Sequence, residues 1–133
     1  MNGHATTILI FGASGDLTHR KLIPALYNLY QKKRLPEITI LGTSRSEFSN
    51  AAFRDRLQAG IQQFSPDSFD EQEGNKFSQR IFYQQGNLKN PEDYQSLSRT
   101  LGELENSPSN RLYYLAISPE FYQEAILNLG KAD

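Results

Sequence analysis

Residues 6–17 read Thr6-Thr7-Ile8-Leu9-Ile10-Phe11-Gly12-Ala13-Ser14-Gly15-Asp16-Leu17, and the order of that stretch decides the fold. A short β-branched apolar run marks a buried strand. Two glycines three residues apart break it, and a helical pattern follows. Leu22, Leu26 and Leu29 fall on one stripe, with Ile23, Tyr27 and Tyr30 beside it. Strand, glycine turn and helix in that order open a βαβ unit. Pro24 interrupts the helical segment and is expected to kink it or to mark where its regular part begins. Lys32, Lys33 and Arg34 put positive charge at the C-terminal end, where the helix dipole favours it, and Pro36 stops the helix.

The same beat repeats outward from there. Ile38–Gly42 is a second strand. Ser49 or Asn50 caps a helix that runs to about Phe64, with Phe53, Leu57, Ile61 and Phe64 at three- or four-residue steps. Residues 65–79 are polar and acidic and read as a surface connection with room for a helical turn. Ile81–Gln85 is the third strand. Asn90 caps the next helix, with Pro91 at its first position and Leu104 near its end. Glu105–Asn110 is a loop, and Leu112–Ile117 is a fourth strand whose apolar content suits cover on both faces. Ser118 caps a last helix, with Pro119 first and Phe121, Ala125, Ile126 and Leu129 turned inward. Four alternations predict an α/β fold, a doubly wound Rossmann-like parallel sheet ordered 3-2-1-4. A full dinucleotide fold normally has two more strands, so residues 1–133 are expected to form a truncated domain.

Composition narrows the chemistry. A length of 133 residues suits one domain, and 38% hydrophobic residues supply one core. The net charge of −1, from 14 basic and 15 acidic residues, disfavours nucleic acid as a partner. No apolar run approaches the roughly 20 residues that span a bilayer, and Met1–Thr7 lacks a signal-peptide pattern. Without cysteine there is no disulfide or zinc–thiolate site. His4 and His19 are too few and too far apart for a metal cluster, and each reads as an exposed or terminal residue. A cytoplasmic, metal-free domain is expected.

Gly12–Leu17 is the sharpest candidate site. Glycine lets the backbone turn tightly and approach a ligand. The helix start beyond it offers N–H groups and partial positive charge to a diphosphate. Ser14 adds a hydroxyl, and Asp16 is expected to cap the helix and pin the loop. The same turn also fits a purely structural role. No Gly-Lys-Ser/Thr follows, which disfavours a nucleoside-triphosphate loop. After the second strand, Gly42-Thr43-Ser44-Arg45-Ser46 has no acid for ribose hydroxyls until Glu47, so Arg45 and the serines suit a ribose 2′-phosphate. Lys21 is a second candidate cation. Asn87 and Leu88 after the third strand, and Ser118, Pro119 and Tyr122 after the fourth, are expected near the rest of a cofactor. There is no Tyr-x-x-x-Lys pair and no GxSxG elbow.

Gly12–Tyr30 (GASGDLTHRKLIPALYNLY), Gly42–Arg45 and Arg111–Tyr122 (RLYYLAISPEFY) together resemble the N-terminal coenzyme portion of glucose-6-phosphate dehydrogenases. The resemblance spans essentially the whole chain. It implies oxidation of glucose 6-phosphate by NADP to 6-phosphogluconolactone, in the pentose phosphate pathway, by a cytoplasmic homo-oligomer. Carried over, Gly12–Leu17 hold the diphosphate, Arg45 and Lys21 the 2′-phosphate, and Asn87, Leu88 and Tyr122 the rest of the coenzyme. Ser118 stands where that family often has proline, and Asn87 where it often has an acid. The family's substrate motif and catalytic histidine have no counterpart in this sequence, so no catalytic residue is assigned. A non-catalytic NADP-sensing module is the alternative reading.

Overall fold

The computed structural model describes residues 5–16, 18–34, 37–67, 69–87, 89–105, 109–117 and 119–132, with the backbone alone at 109, 119 and 132. Its frame is a parallel sheet ordered β3-β2-β1-β4. The strands are β1 (Ala5–Phe11), β2 (Ile38–Ser44), β3 (Ile81–Gln85) and β4 (Ser109–Leu115). Between and after them run α1 (Ile23–Gln31), α2 (Asn50–Phe64), α3 (Glu71–Ser78), α4 (Pro91–Leu104) and α5 (Tyr122–Ala132). This is the doubly wound order that the alternating sequence predicts.

Successive residues of a strand face opposite ways, and β1 therefore feeds two cores. Ile8 and Ile10 join Ile38, Ile40 and Ile81 against α1, α2 and Phe77 of α3. Leu9 and Phe11 join Leu41 against Tyr94, Leu97 and Leu101 of α4 and Ala125 of α5. The register brings the strand tips level: Phe11 lies opposite Thr43 on one side and Leu115 on the other, and Thr43 lies opposite Gln84. The carboxyl ends of the strands thus share one edge, where open sheets of this kind bind ligands.

Helix starts follow their capping chemistry. Ser49 Oγ accepts from Ala52 N–H at 3.0 Å, and Asn90 Oδ1 from Glu92 N–H at 3.1 Å. Asn50, the other candidate cap, instead accepts from Tyr83 N–H at 2.8 Å and ties α2 to β3. Pro24 lies in the first turn of α1, directly after a π-helical turn at Thr18–Leu22. It marks the start of the regular helix, where its missing N–H costs nothing.

Four expectations are corrected. The stretch read as a surface connection contains α3, whose cap Asp70 accepts from Glu73 N–H at 2.9 Å; Phe77 of that helix is fully buried between Tyr27 and Tyr30. The fourth strand begins at Ser109 rather than Leu112 and ends at Leu115, because pairing with β1 recruits the polar Ser109 and Asn110. Nor is that strand covered on both faces. Leu112 and Tyr114 pair with Ile8 and Ile10, on the side where the helices sit over β1 to β3, and are 55% and 38% exposed. Ile126 points outward at 60% exposure, since Ala125 and Asn128, one turn apart, form the buried face of α5.

Candidate cofactor-binding site

A cavity of about 840 Å³ opens at the carboxyl edge of the sheet, within the usual range for small-molecule sites. Its lining comes from each strand tip: Phe11, Gly12 and Ser14 after β1, Thr43 to Ser46 at the end of β2, Gly86, Asn87 and Lys89 after β3, and Ile117 and Phe121 after β4. Asp93, Tyr94 and Leu97 of α4 complete the wall.

The turn after β1 is built by its own backbone. Gly12 has a φ of +79°, and a Cβ there would meet the Ala116 carbonyl oxygen at 2.1 Å. Glycine is required by both the conformation and the approach to the tip of β4. The N–H groups of Gly12 and Ala13 both donate to Thr43 O, at 3.0 and 3.1 Å, and Gly15 N–H donates to Gly12 O at 3.0 Å. Ser14 lines the cavity, and its N–H has no acceptor among the described residues. Ala13 is buried in the core beside Gly42 and lines nothing. Gly15 and Asp16 are exposed at the outer side of the turn. Asp16 does not cap a helix: its carboxylate pairs with Arg20 one turn on, at 2.6 Å, in solvent. Leu17, Leu88 and Ser118 lie outside the described residues, and of Pro119 only the backbone is described.

Arg45 is exposed at the cavity rim, on a segment fixed from both sides. The Tyr83 hydroxyl shares a 2.5 Å hydrogen bond with Ser44 Oγ and donates to the Ser46 carbonyl. Gln85 Nε2 donates to Arg45 O at 2.8 Å. Burial raises the Tyr83 phenol's pKa above its ordinary value, partly opposed by its bonds to Ser44, so it stays a protonated donor at neutral pH. Asn87 is positioned by its N–H, which donates to Asp93 Oδ2 at 2.8 Å, and its side chain accepts from Lys89 N–H at 3.0 Å. Burial, with the Glu124 carboxylate, pushes the Tyr94 phenol up to about 12. Lys21 sits exposed on the π-helical turn and Tyr122 on the outer part of α5; neither lines the cavity.

Three features escaped the sequence reading. Lys89, Asp93 and Phe121 line the cavity; the residue type of Lys89, in the connection after a strand at this edge, was the available signal. Arg56, from α2, donates to Ser14 O at 2.9 Å and steadies the glycine turn from behind. His19 is not an ordinary exposed residue. Its ring stacks edge-on against Phe64 and fills the space left by Gly60, and its Nδ1 is buried without a hydrogen-bond partner among the described residues. Burial and then the nearby Arg56 charge lower its pKa, with Asp16 opposing.

The lining fits a dinucleotide. Thr43 Oγ1 is buried at the cavity wall with no partner among the described residues, a polar atom awaiting an acceptor or donor. Glycine turn, orphan N–H and hydroxyl, and a guanidinium at the neighbouring tip are the parts a phosphorylated ligand needs. No group of three metal-ligating side chains occurs among the described residues, and no described helix is long and apolar enough to cross a membrane.

Residues 9–133 match the family model described as "Glucose-6-phosphate dehydrogenase, NAD binding domain". The chain is 40% identical over 128 residues to the glucose-6-phosphate 1-dehydrogenase of Chlamydia pneumoniae, covering 93% of this chain and 25% of that protein. It is 41% identical over 129 residues to that of Chlamydia muridarum, with the same shares covered. Among solved structures, a glucose-6-phosphate dehydrogenase in complex with its substrate glucose-6-phosphate superposes with a TM-score of 0.86 at 31% identity, over 97% of this chain and 28% of that one. The Mycobacterium avium enzyme gives 0.85 at 27% identity, over 98% and 27%. The chain spans about a quarter of the length of the relatives it matches.

Proposed function

This chain belongs to the glucose-6-phosphate dehydrogenase family, and from that premise we propose that its cavity binds NADP. The observation that carries the reading is the pairing of the Gly12 turn with Arg45 across one cavity at the strand tips. Gly12 and Ser14 take the diphosphate, with Ser14 N–H and Oγ as donors and the helix beyond supplying partial positive charge. Arg45 takes the ribose 2′-phosphate through its planar fork of donors, and Asn87 and Thr43 flank the adenosine. Bound NADP supplies the hydride acceptor. The chain's own described residues bind and orient it: the cavity lining includes no histidine, and its one carboxylate, Asp93, is engaged by Asn87 N–H. Family membership supports extending the reading to the whole protein, as an NADP-dependent oxidoreductase acting on glucose 6-phosphate in the cytoplasm as a homo-oligomer.

The test is calorimetric titration of the chain with NADP and NAD. Arg45→Ala is expected to weaken NADP by about 1–3 kcal/mol, the worth of a charge-assisted contact, roughly 5- to 150-fold, and to leave NAD nearly unchanged. Equal losses for both cofactors refute the 2′-phosphate assignment. Binding of neither by folded wild-type chain refutes the reading as a whole.

A further inference from the structure

A ribose 2′-phosphate is close to doubly charged at neutral pH, and one guanidinium neutralises only half of it. The natural second cation on sequence grounds is Lys21, yet that side chain is exposed on the π-helical turn and outside the cavity. Arg45 and Lys89 are the two cationic side chains among the described lining residues. They approach from neighbouring strand tips, Arg45 from the end of β2 and Lys89 from the β3–α4 connection. We propose that Lys89 is the second cation of the 2′-phosphate subsite, closing on the phosphate from the side opposite Arg45. This rests on the reading of the cavity as an NADP site.

Three observations support it. The Lys89 backbone is held in place: its N–H donates to Asn87 Oδ1 at 3.0 Å, and Asn90 N–H donates to Asn87 O at 3.0 Å. Lys89 lines the cavity, and its ammonium lies 6.0 Å from the ring centroid of Phe121, a lining residue that follows β4. That contact is a weak resting place for a cation at an exposed site, readily exchanged for a phosphate. The only acid among the described lining residues, Asp93, makes no ion pair with Lys89 and instead receives the Asn87 N–H at 2.8 Å. The lysine's charge is therefore available to a ligand.

The experiment compares adenosine 2′,5′-bisphosphate with adenosine 5′-monophosphate, which differ only in the 2′-phosphate, on wild type, Lys89→Met, Lys89→Arg and Lys21→Met. Calorimetry at low and high salt reads affinity, and thermal melts verify folding of each variant. Lys89→Met is expected to weaken the bisphosphate about 5- to 10-fold with the monophosphate unchanged, and to flatten its salt dependence. Lys89→Arg should retain most of the wild-type preference. An unchanged preference in Lys89→Met, an equal loss for both nucleotides, or a loss of preference in Lys21→Met in its place overturns the proposal. A wild-type preference for the bisphosphate that survives Lys89→Met leaves the NADP reading standing while removing Lys89 from it; a wild type that binds neither nucleotide removes both.

Discussion

Replacing Gly12 by alanine adds a single methyl group at the most confined point of the turn. At φ +79° a side chain is strained whatever the surrounding space, at a cost of about 1–2 kcal/mol. The new Cβ would also lie 2.1 Å from the Ala116 carbonyl oxygen and 2.9 Å from its carbon. Those are backbone atoms of a segment whose N–H donates to Phe11 O at 2.9 Å, so they cannot swing aside as a flexible side chain would. Relieving the overlap means parting the tips of β1 and β4, an overpacking cost of roughly 1–3 kcal/mol. The sum, about 2–5 kcal/mol, is a large share of the roughly 5–15 kcal/mol that holds a domain of this size together. A fall in Tm of about 7–18 °C follows. The control is Gly102→Ala in the last turn of α4, where a Cβ meets nothing within 4 Å; it should hold or slightly raise Tm, as Gly→Ala does in helices. Circular-dichroism melts of the two variants decide the matter. If Gly12→Ala melts within about 2 °C of wild type, or Gly102→Ala falls as far, the assigned turn geometry is wrong.

Other outcomes follow from the charged and titrating groups. Glu105 and Arg111 form a two-pronged ion pair, Nη2 to Oε1 at 2.7 Å and Nε to Oε2 at 3.0 Å, that is mostly shielded from solvent. The Arg111 hydrogen bonds hold the Glu105 carboxyl below its ordinary range, against the pull of burial. Its contribution is thus fully present above about pH 4.3 and lost as pH falls through the lower folded value; Glu105→Gln should cost about 1–3 kcal/mol at pH 7 in urea unfolding and progressively less below pH 4. His19 behaves with its own sign. Its folded pKa is lowered, so the unfolded chain takes up the proton first and stability declines as pH drops below about 6.5. His19→Gln should flatten the Tm profile between about pH 7 and 5, and an NMR titration of the wild-type ring with a midpoint above the ordinary histidine value would contradict the buried placement.

Local chemistry explains what could be read in advance. The α4 boundaries were legible because Asn90 and Pro91 form an unambiguous start, and α2 because Ser49 caps it and Phe53, Leu57 and Ile61 repeat on one face. The sheet order followed from alternation alone. Helix α3 was missed because Gly74 and Phe77 are its buried residues and give no periodic apolar stripe; the Asp70–Glu73 capping pair was the one clue. That Gly12, Ser14 and Arg45 line the cavity was legible, since each follows a strand at the edge where the cavity opens. Lys89 and the α4 wall were not, because Tyr94 and Leu97 serve the core and the cavity together and look like core in any periodic reading. Lys21 lies on the π-helical turn and outside the cavity lining, a local irregularity that helical periodicity does not signal.

The tyrosine in the middle of β3 has a consequence for how tightly this edge can hold anything. By tethering Ser44 and Ser46 on either side of Arg45, Tyr83 freezes the guanidinium's backbone root before any guest arrives. The disorder that a free loop would surrender on association has already been surrendered during folding. Only the arginine side chain itself is left to settle, and if Arg45 takes the 2′-phosphate as proposed, discrimination between two nearly identical dinucleotides depends in part on a phenol buried one strand away.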